Sequence, residues 1–212
     1  MISTASTSLS ASFSDKRFQQ VLLIIFIIFW TVFAIAPLYR PEWWLENYLV
    51  FAFVLFIVVS YKRLQLSDLS YLLITIFLLL HTVGAHYGYS GVPIGFIIKD
   101  MFGLMRNPYD RIVHFLFGFL FAYPIFELLK RYSKQHGAWL YFLPINFIIS
   151  LCAIYEIIEA VVAWTFPPEQ YNPFIGLQGD IWDGYKDMLL VSTGCVLSMT
   201  IIWFSDTRRK NS

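Results

Sequence analysis

Charge is what this chain has least of. Of its 212 residues only 14% are Asp, Glu, Lys or Arg, against 58% hydrophobic, whereas soluble domains carry about 25% charged side chains. That composition excludes a soluble globular domain and implies a polytopic membrane protein with the lipid bilayer as its first partner. The formal net charge is +1, so bulk basicity gives no case for nucleic acid as a partner. Cysteine is nearly absent as well. Cys152 and Cys195 both lie inside apolar runs, with no metal-ligand spacing and no disulfide framework, and read as small packing residues. Internal repeats and low-complexity segments are missing.

What is present is a series of long apolar runs. Residues 1–15 are rich in Ser, Thr and Ala without periodicity and are expected to form a mobile tail. Residues 21–36 follow Lys16 and Arg17. Ala34-Ile35-Ala36 has the small-x-small look of a signal-peptide cleavage site, but Pro37 would follow the cut directly, and with Phe18 the run is long enough to span. Further helices are expected over 43–61, 69–87, 108–129, 138–164 (ending at Pro167-Pro168) and 182–204, each near the roughly 20 residues a span needs. Residues 88–109 carry Gly91, Pro93, Gly95, Gly103 and Pro108 and read as a long connection.

The basic residues orient these spans. Ten of the fifteen Lys and Arg fall on one side: Lys16, Arg17, Lys62, Arg63, Lys130, Arg131, Lys134, Arg208, Arg209 and Lys210. The positive-inside rule puts that side in the cytoplasm. The expected fold is all-α, a single domain over 16–212, a bundle of six transmembrane helices with both termini cytoplasmic.

This topology brings ionisable residues to one depth. The late parts of helices three and five and the early parts of four and six share the outer level, which gathers His81, His86, Asp110, His114, Glu156, Glu159, Asp180, Asp183 and Asp187. Asp110 and His114 are four apart, Glu156 and Glu159 three apart, Asp183 and Asp187 four apart, so each pair shares a helical face. Six carboxylates at one depth in a low dielectric require protonation, pairing with Lys99, Arg106, Arg111 and Lys186, or a divalent cation. His with Asp and Glu suits Zn, Mn or Fe.

Blander readings stand beside these. Asp180 is placed to cap the last helix, and His81 to make an interhelical hydrogen bond. His136 lies in a cytoplasmic loop and reads as solvated. Glu127 is expected to snorkel towards Lys130 or Arg131. Gly118, and Gly194 with Ser198, read as close-packing positions.

Asn-Pro-Tyr-Asp-Arg-Ile-Val-His-Phe (residues 107–115), Tyr-Glu-Ile-Ile-Glu (155–159) and Gln-Gly-Asp-Ile-Trp-Asp-Gly-Tyr-Lys-Asp-Met (178–188) resemble the YjdF-type bacterial inner-membrane proteins, a family defined by a domain of unknown function. A more distant similarity is to VanZ-like proteins, with Asp110, Arg111 and His114, then Glu156 or Glu159, then Asp183 and Asp187 at the matching steps. Asp stands here where the VanZ pattern has Asn, which adds negative charge. The resemblance implies a multi-pass inner-membrane protein.

Two functional readings follow. In the first, an intramembrane hydrolase or transferase acts on a lipid-linked or envelope-precursor substrate. Asp110, His114, Glu156, Asp183 and Asp187 hold the metal, Glu159 serves as general base, and Arg111 steadies an anionic head group. In the second, the same residues form a structural ion-pair network in a protein that binds a lipid or a partner.

Overall fold

A computed structural model describes residues 16–166 and 178–211. The N-terminal tail and the Pro167-Pro168 helix end lie outside the described residues. Those described fold into seven helices and no strand: α1 (Arg17–Phe33), α2 (Arg40–Leu64), α3 (Asp68–Tyr87), α4 (Pro93–Phe102), α5 (Tyr109–Tyr132), α6 (Trp139–Thr165) and α7 (Asp183–Asn211). Of these, α2, α3, α5, α6 and residues Asp183–Arg208 of α7 are long and apolar enough to cross a membrane, while α1, at 17 residues, is shorter. Ile28, Leu55, Val59 and Ile157 are exposed on the outside of the bundle, as side chains in contact with lipid are.

The connection expected over 88–109 contains α4. Its breakers delimit a helix instead of preventing one: Pro93 sits in the first turn, where a missing N–H costs nothing, and Gly103 closes the helix at φ 62°. Gly88, at φ 65°, ends α3 in the same way.

Helix α5 is the centre of the bundle and packs on α3, α6 and α7. Its closest approach is to α7. A Cβ at Gly118 would lie 2.0 Å from the Val191 carbonyl oxygen, and one at Gly194 would lie 2.2 Å from that of Phe115. The two backbones therefore touch through reciprocal glycines. Phe121, Ala122 and Phe126 of α5, Ile148 of α6 and Val191, Cys195 and Met199 of α7 form the core around this crossing.

One end of the bundle is closed by Glu127. Its carboxylate accepts from the Ser67 amide at 2.8 Å, from Ser67 Oγ at 2.9 Å and from Ser70 Oγ at 2.5 Å, so it caps the N-terminus of α3 from another helix. It also bonds Arg131 at 2.8 Å, as the sequence suggested, while Lys130 pairs instead with Asp206 at 3.1 Å. Arg131 donates in turn to the Leu64 carbonyl at 3.0 Å, at the end of α2.

Candidate functional site

At the opposite end the first turns of α2, α5 and α7 meet the last turns of α3 and α6. Asn107, 1% exposed, fixes the geometry there. Its Nδ2 donates to the Ser90 and Val92 carbonyls, each at 3.0 Å, and its Oδ1 accepts the Tyr109 amide at 3.0 Å. The side chain of Gln178 spans the Asn107 backbone, accepting from its N–H at 2.9 Å and donating to its carbonyl at 3.1 Å. The loop before α5 is thereby tied to the turn before α7.

His114 stands at the centre of the site, and its two nitrogens face different partners. Nε2 lies 3.4 Å from Asp110 Oδ1. One donor atom each from Asp110, His114 and Asp187 lie within 4.8 Å of one another. Two ligands of a tetrahedral ion about 2.1 Å from each are about 3.4 Å apart, so these three side chains could hold such an ion after a small closure. Nδ1 faces Glu156 Oε1 at 4.0 Å and Cys152 Sγ at 4.0 Å. Glu156 therefore lies across the ring from Asp110, where a carboxylate can orient a ligating histidine; one donor atom each from His114, Cys152 and Glu156 also lie within 4.8 Å of one another. Cys152 is buried as expected, but against an imidazole as well as against hydrocarbon.

Asp183 stands outside this trio. Its Oδ1 receives Arg106 Nη1 and, at 3.4 Å, Arg111 Nη2, while Arg106 also reaches Asp110 Oδ2 at 3.5 Å. Arg111 further bonds Asp180 at 2.5 Å, and Lys186 meets the same Asp180 oxygen at 2.5 Å. Lys186, the Trp182 amide and Arg111 hold the Asp180 carboxyl down at about 2. Asp180 also accepts the Trp182 amide at 3.1 Å, as a cap does. Asp187 is also buried: it is 3% exposed, and its Oδ1, like Asp183 Oδ2 and Glu156 Oε1, has no hydrogen-bond partner among the described residues. A buried carboxylate oxygen without a donor is costly.

A cavity of about 330 Å³ opens beside the trio, at the small end of ligand sites. Asp110, His114 and Glu159 line its polar end together with Glu46, His81 and Tyr89. Its body runs between aromatic rings, among them Phe53, Phe77, Phe117 and Phe121. Leu49 of α2 and Leu151, Ile154 and Ile158 of α6 line it and are also exposed on the outside, so it opens sideways between α2 and α6.

Glu46, 3% exposed, is the residue that sequence reasoning missed. It accepts from Tyr155 Oη at 3.1 Å and faces His81 Nε2 at 3.8 Å, while Tyr89 Oη lies 2.5 Å from His81 Nδ1. The depth argument that gathered the other residues applies to the start of helix two as well, and would have found it. His86 stays out of the site and bonds the Phe33 carbonyl of α1 at 2.8 Å.

A family described as "Predicted membrane protein (DUF2238)" matches residues 18–208. The chain belongs to this family. Within it, the chain is similar to the inner membrane protein YjdF of Escherichia coli (strain K12), at 32% identity over 164 residues, 77% of this chain and 78% of that protein. No solved structure matches. With five apolar helices of spanning length, this member of the DUF2238 family is a multi-pass inner-membrane protein, as the motifs around Asp110, Glu156 and Asp183 led us to expect.

Proposed function

We propose that the protein is an intramembrane metal-dependent hydrolase or transferase that takes a lipid-linked or envelope-precursor substrate sideways from the bilayer. The observation that carries this reading is Asp187, a buried carboxylate with an unbonded oxygen among the described residues, set against Asp110 and His114 on the wall of an apolar cavity. Asp110, His114 and Asp187 would hold Zn, Mn or Fe, which would supply a Lewis acid and an activated water there; Glu159, on the cavity wall, would serve as the general base. Glu156 orients His114, and Arg111 holds Asp180 and Asp183 at the mouth.

The proposal includes six spans, with α1 as the sixth, since 17 residues reach about 25 Å and lie at the short end of membrane helices. Both termini are then cytoplasmic and the site faces outwards. The grouping of Lys62, Arg63, Lys130 and Arg131 at the end opposite His114 supports this orientation.

Elemental analysis of the detergent-purified protein tests the reading. Near-stoichiometric Zn, Mn or Fe is expected in the wild type and is lost in His114→Ala and Asp187→Asn. Well-folded protein without metal would overturn it. A second reading, a non-catalytic lipid- or partner-binding protein held by its ion pairs, is favoured by the bonds from Arg106 and Arg111 to Asp110, Asp180 and Asp183. It is upheld if metal is absent while Asp183→Asn and Asp110→Asn both lower the yield of folded protein.

A further inference from the structure

The polar end of the cavity is one-sided in charge. Three carboxylates line it, those of Glu46, Asp110 and Glu159, and among the described residues that line it none is Lys or Arg. Arg106 and Arg111, the nearest guanidiniums, are bonded to Asp110, Asp180 and Asp183 and lie outside the lining. Asp110 has two claims on it already, from Arg106 and from the His114 group, and Glu159 is the base. Glu46 is left over. It is 3% exposed, and its Oε2 accepts from Tyr155 and faces His81. Neither contact is to a Lys or Arg, so a cationic head group in the cavity would find in Glu46 a buried carboxylate to pair with.

The rings around it are suited to a cation. Tyr89, Tyr155 and His81 line the same end of the cavity as Glu46, and an ammonium within about 6 Å of an aromatic centroid is attracted by the ring face. The body of the cavity is hydrocarbon and aromatic, and its sideways opening admits a chain from the bilayer.

We infer that this cavity binds an amphiphile whose head is a protonated amine and whose single apolar chain lies among Phe53, Phe77 and Phe117, with Glu46 as the counter-ion of the amine. The inference rests on the proposed hydrolase or transferase reading and names the substrate class of that site. Charge complementarity disfavours a carboxylate or sulfate head, which would face Glu46 and Glu159 with no Lys or Arg among the described lining residues. The volume of about 330 Å³ fits one chain with a small head and not a two-chain lipid.

The test uses full-length protein in a neutral detergent, with dodecylamine as the probe and dodecanol and dodecanoate as neutral and anionic controls. Thermal melting is followed as each is titrated. Dodecylamine should raise Tm at concentrations at least ten-fold below those at which dodecanol does, and dodecanoate should have no effect. Glu46→Gln should remove the preference for amine over alcohol while leaving metal content unchanged. If that variant does not fold, alkylation of Cys152 in the wild type provides the readout, because this thiol lines the cavity. Site-resolved mass spectrometry should show dodecylamine slowing the alkylation and dodecanoate leaving it unchanged. Adding lysophosphatidylethanolamine separates the sources of the amine: protection equal to that of dodecylamine assigns a phospholipid head, and weaker protection assigns a free amine. Equal responses to dodecylamine and dodecanoate, by melting or alkylation, would overturn the inference. The titrations are run on metal-stripped and metal-loaded protein. Stoichiometric metal without amine preference removes this inference and leaves the metal reading standing, whereas amine preference without metal does the reverse.

Discussion

Replacing Gly118 by alanine forces α5 off α7. The added Cβ would sit 2.0 Å from the Val191 carbonyl oxygen, 2.8 Å from the Val191 carbonyl carbon and 3.0 Å from the Cys195 amide nitrogen. All three are backbone atoms, so no rotamer change relieves the clash. Ordinary contact begins at 3.4 Å, and the helices must separate by about 1 Å or more at this level. Overpacking of this kind costs about 1–3 kcal/mol, and for a chain of this size a loss of about 2 kcal/mol lowers Tm by roughly 4–8 °C. The position of the clash adds a second effect. His114 is one turn from Gly118 on α5, and Asp187 is one turn from Val191 on α7. Separation there pulls the Asp110–His114 side of the trio from Asp187, although metal sites tolerate only about 0.2 Å of ligand error. If the trio holds a metal as proposed, its affinity should therefore fall about ten-fold or more. Differential scanning fluorimetry with elemental analysis of the same sample provides both readouts. Gly137→Ala is the control: its glycine has φ 61°, and a Cβ added there would meet nothing within 4 Å, so it costs backbone strain of about 1 kcal/mol and leaves metal untouched. Gly118→Ala melting with the wild type and retaining its metal would refute the reasoning.

Variants at four more residues separate the roles of the carboxylates. Asp183→Asn breaks buried bonds to Arg106 and Arg111 and should lose about 3 kcal/mol, seen as a lower melting temperature; Asp187→Asn should melt no lower than the metal-free wild type while losing metal, and a melt as low as that of Asp183→Asn would count against a ligand role. Glu127→Ala removes the acceptor for the Ser67 amide and the hydroxyls of Ser67 and Ser70, at a cost of about 2–3 kcal/mol, with partial rescue by Glu127→Gln; an unchanged urea midpoint would refute it. Asp180 has a folded-state pKa of about 2, below the unfolded value of roughly 3.9, so its contribution is complete above about pH 4 and disappears as pH falls towards 2. The fall in Tm of the wild type across that window should be shallower in Asp180→Asn, and identical slopes would contradict the Lys186 and Arg111 pairing.

The apolar runs identified the spans because hydrocarbon imposes length and composition together, and the pairs Asp110/His114 and Asp183/Asp187 were visible as helical spacings. Contacts between helices were less legible. Asp183 and Asp187 look equivalent in sequence, yet one faces two guanidiniums and the other lies beside Asp110 and His114, a difference set by the rotation of α7 against α5. The residue with which Asp183 pairs, Arg106, lies in what read as a connection. Helix α4 was concealed by its own boundary residues, Pro93 and Gly103. Glu127 looked like a snorkelling side chain because its donors, Ser67 and Ser70, lie 57–60 residues away in sequence.

The bond between Arg106 and Asp183 also sets an order of assembly. The two are separated by 77 positions, and α5 and α6 are both synthesised before α7. Until the last helix is inserted, Arg106 lacks Asp183, Gly118 lacks the backbone it abuts, and Asn107 lacks Gln178. Such a nascent chain lacks the contacts that α7 brings to that rim and has an open seam along α5. Completion of the C-terminal helix is thus the event that closes the molecule, and a chain ending after α6 presents to the quality-control machinery the groups that the finished protein hides.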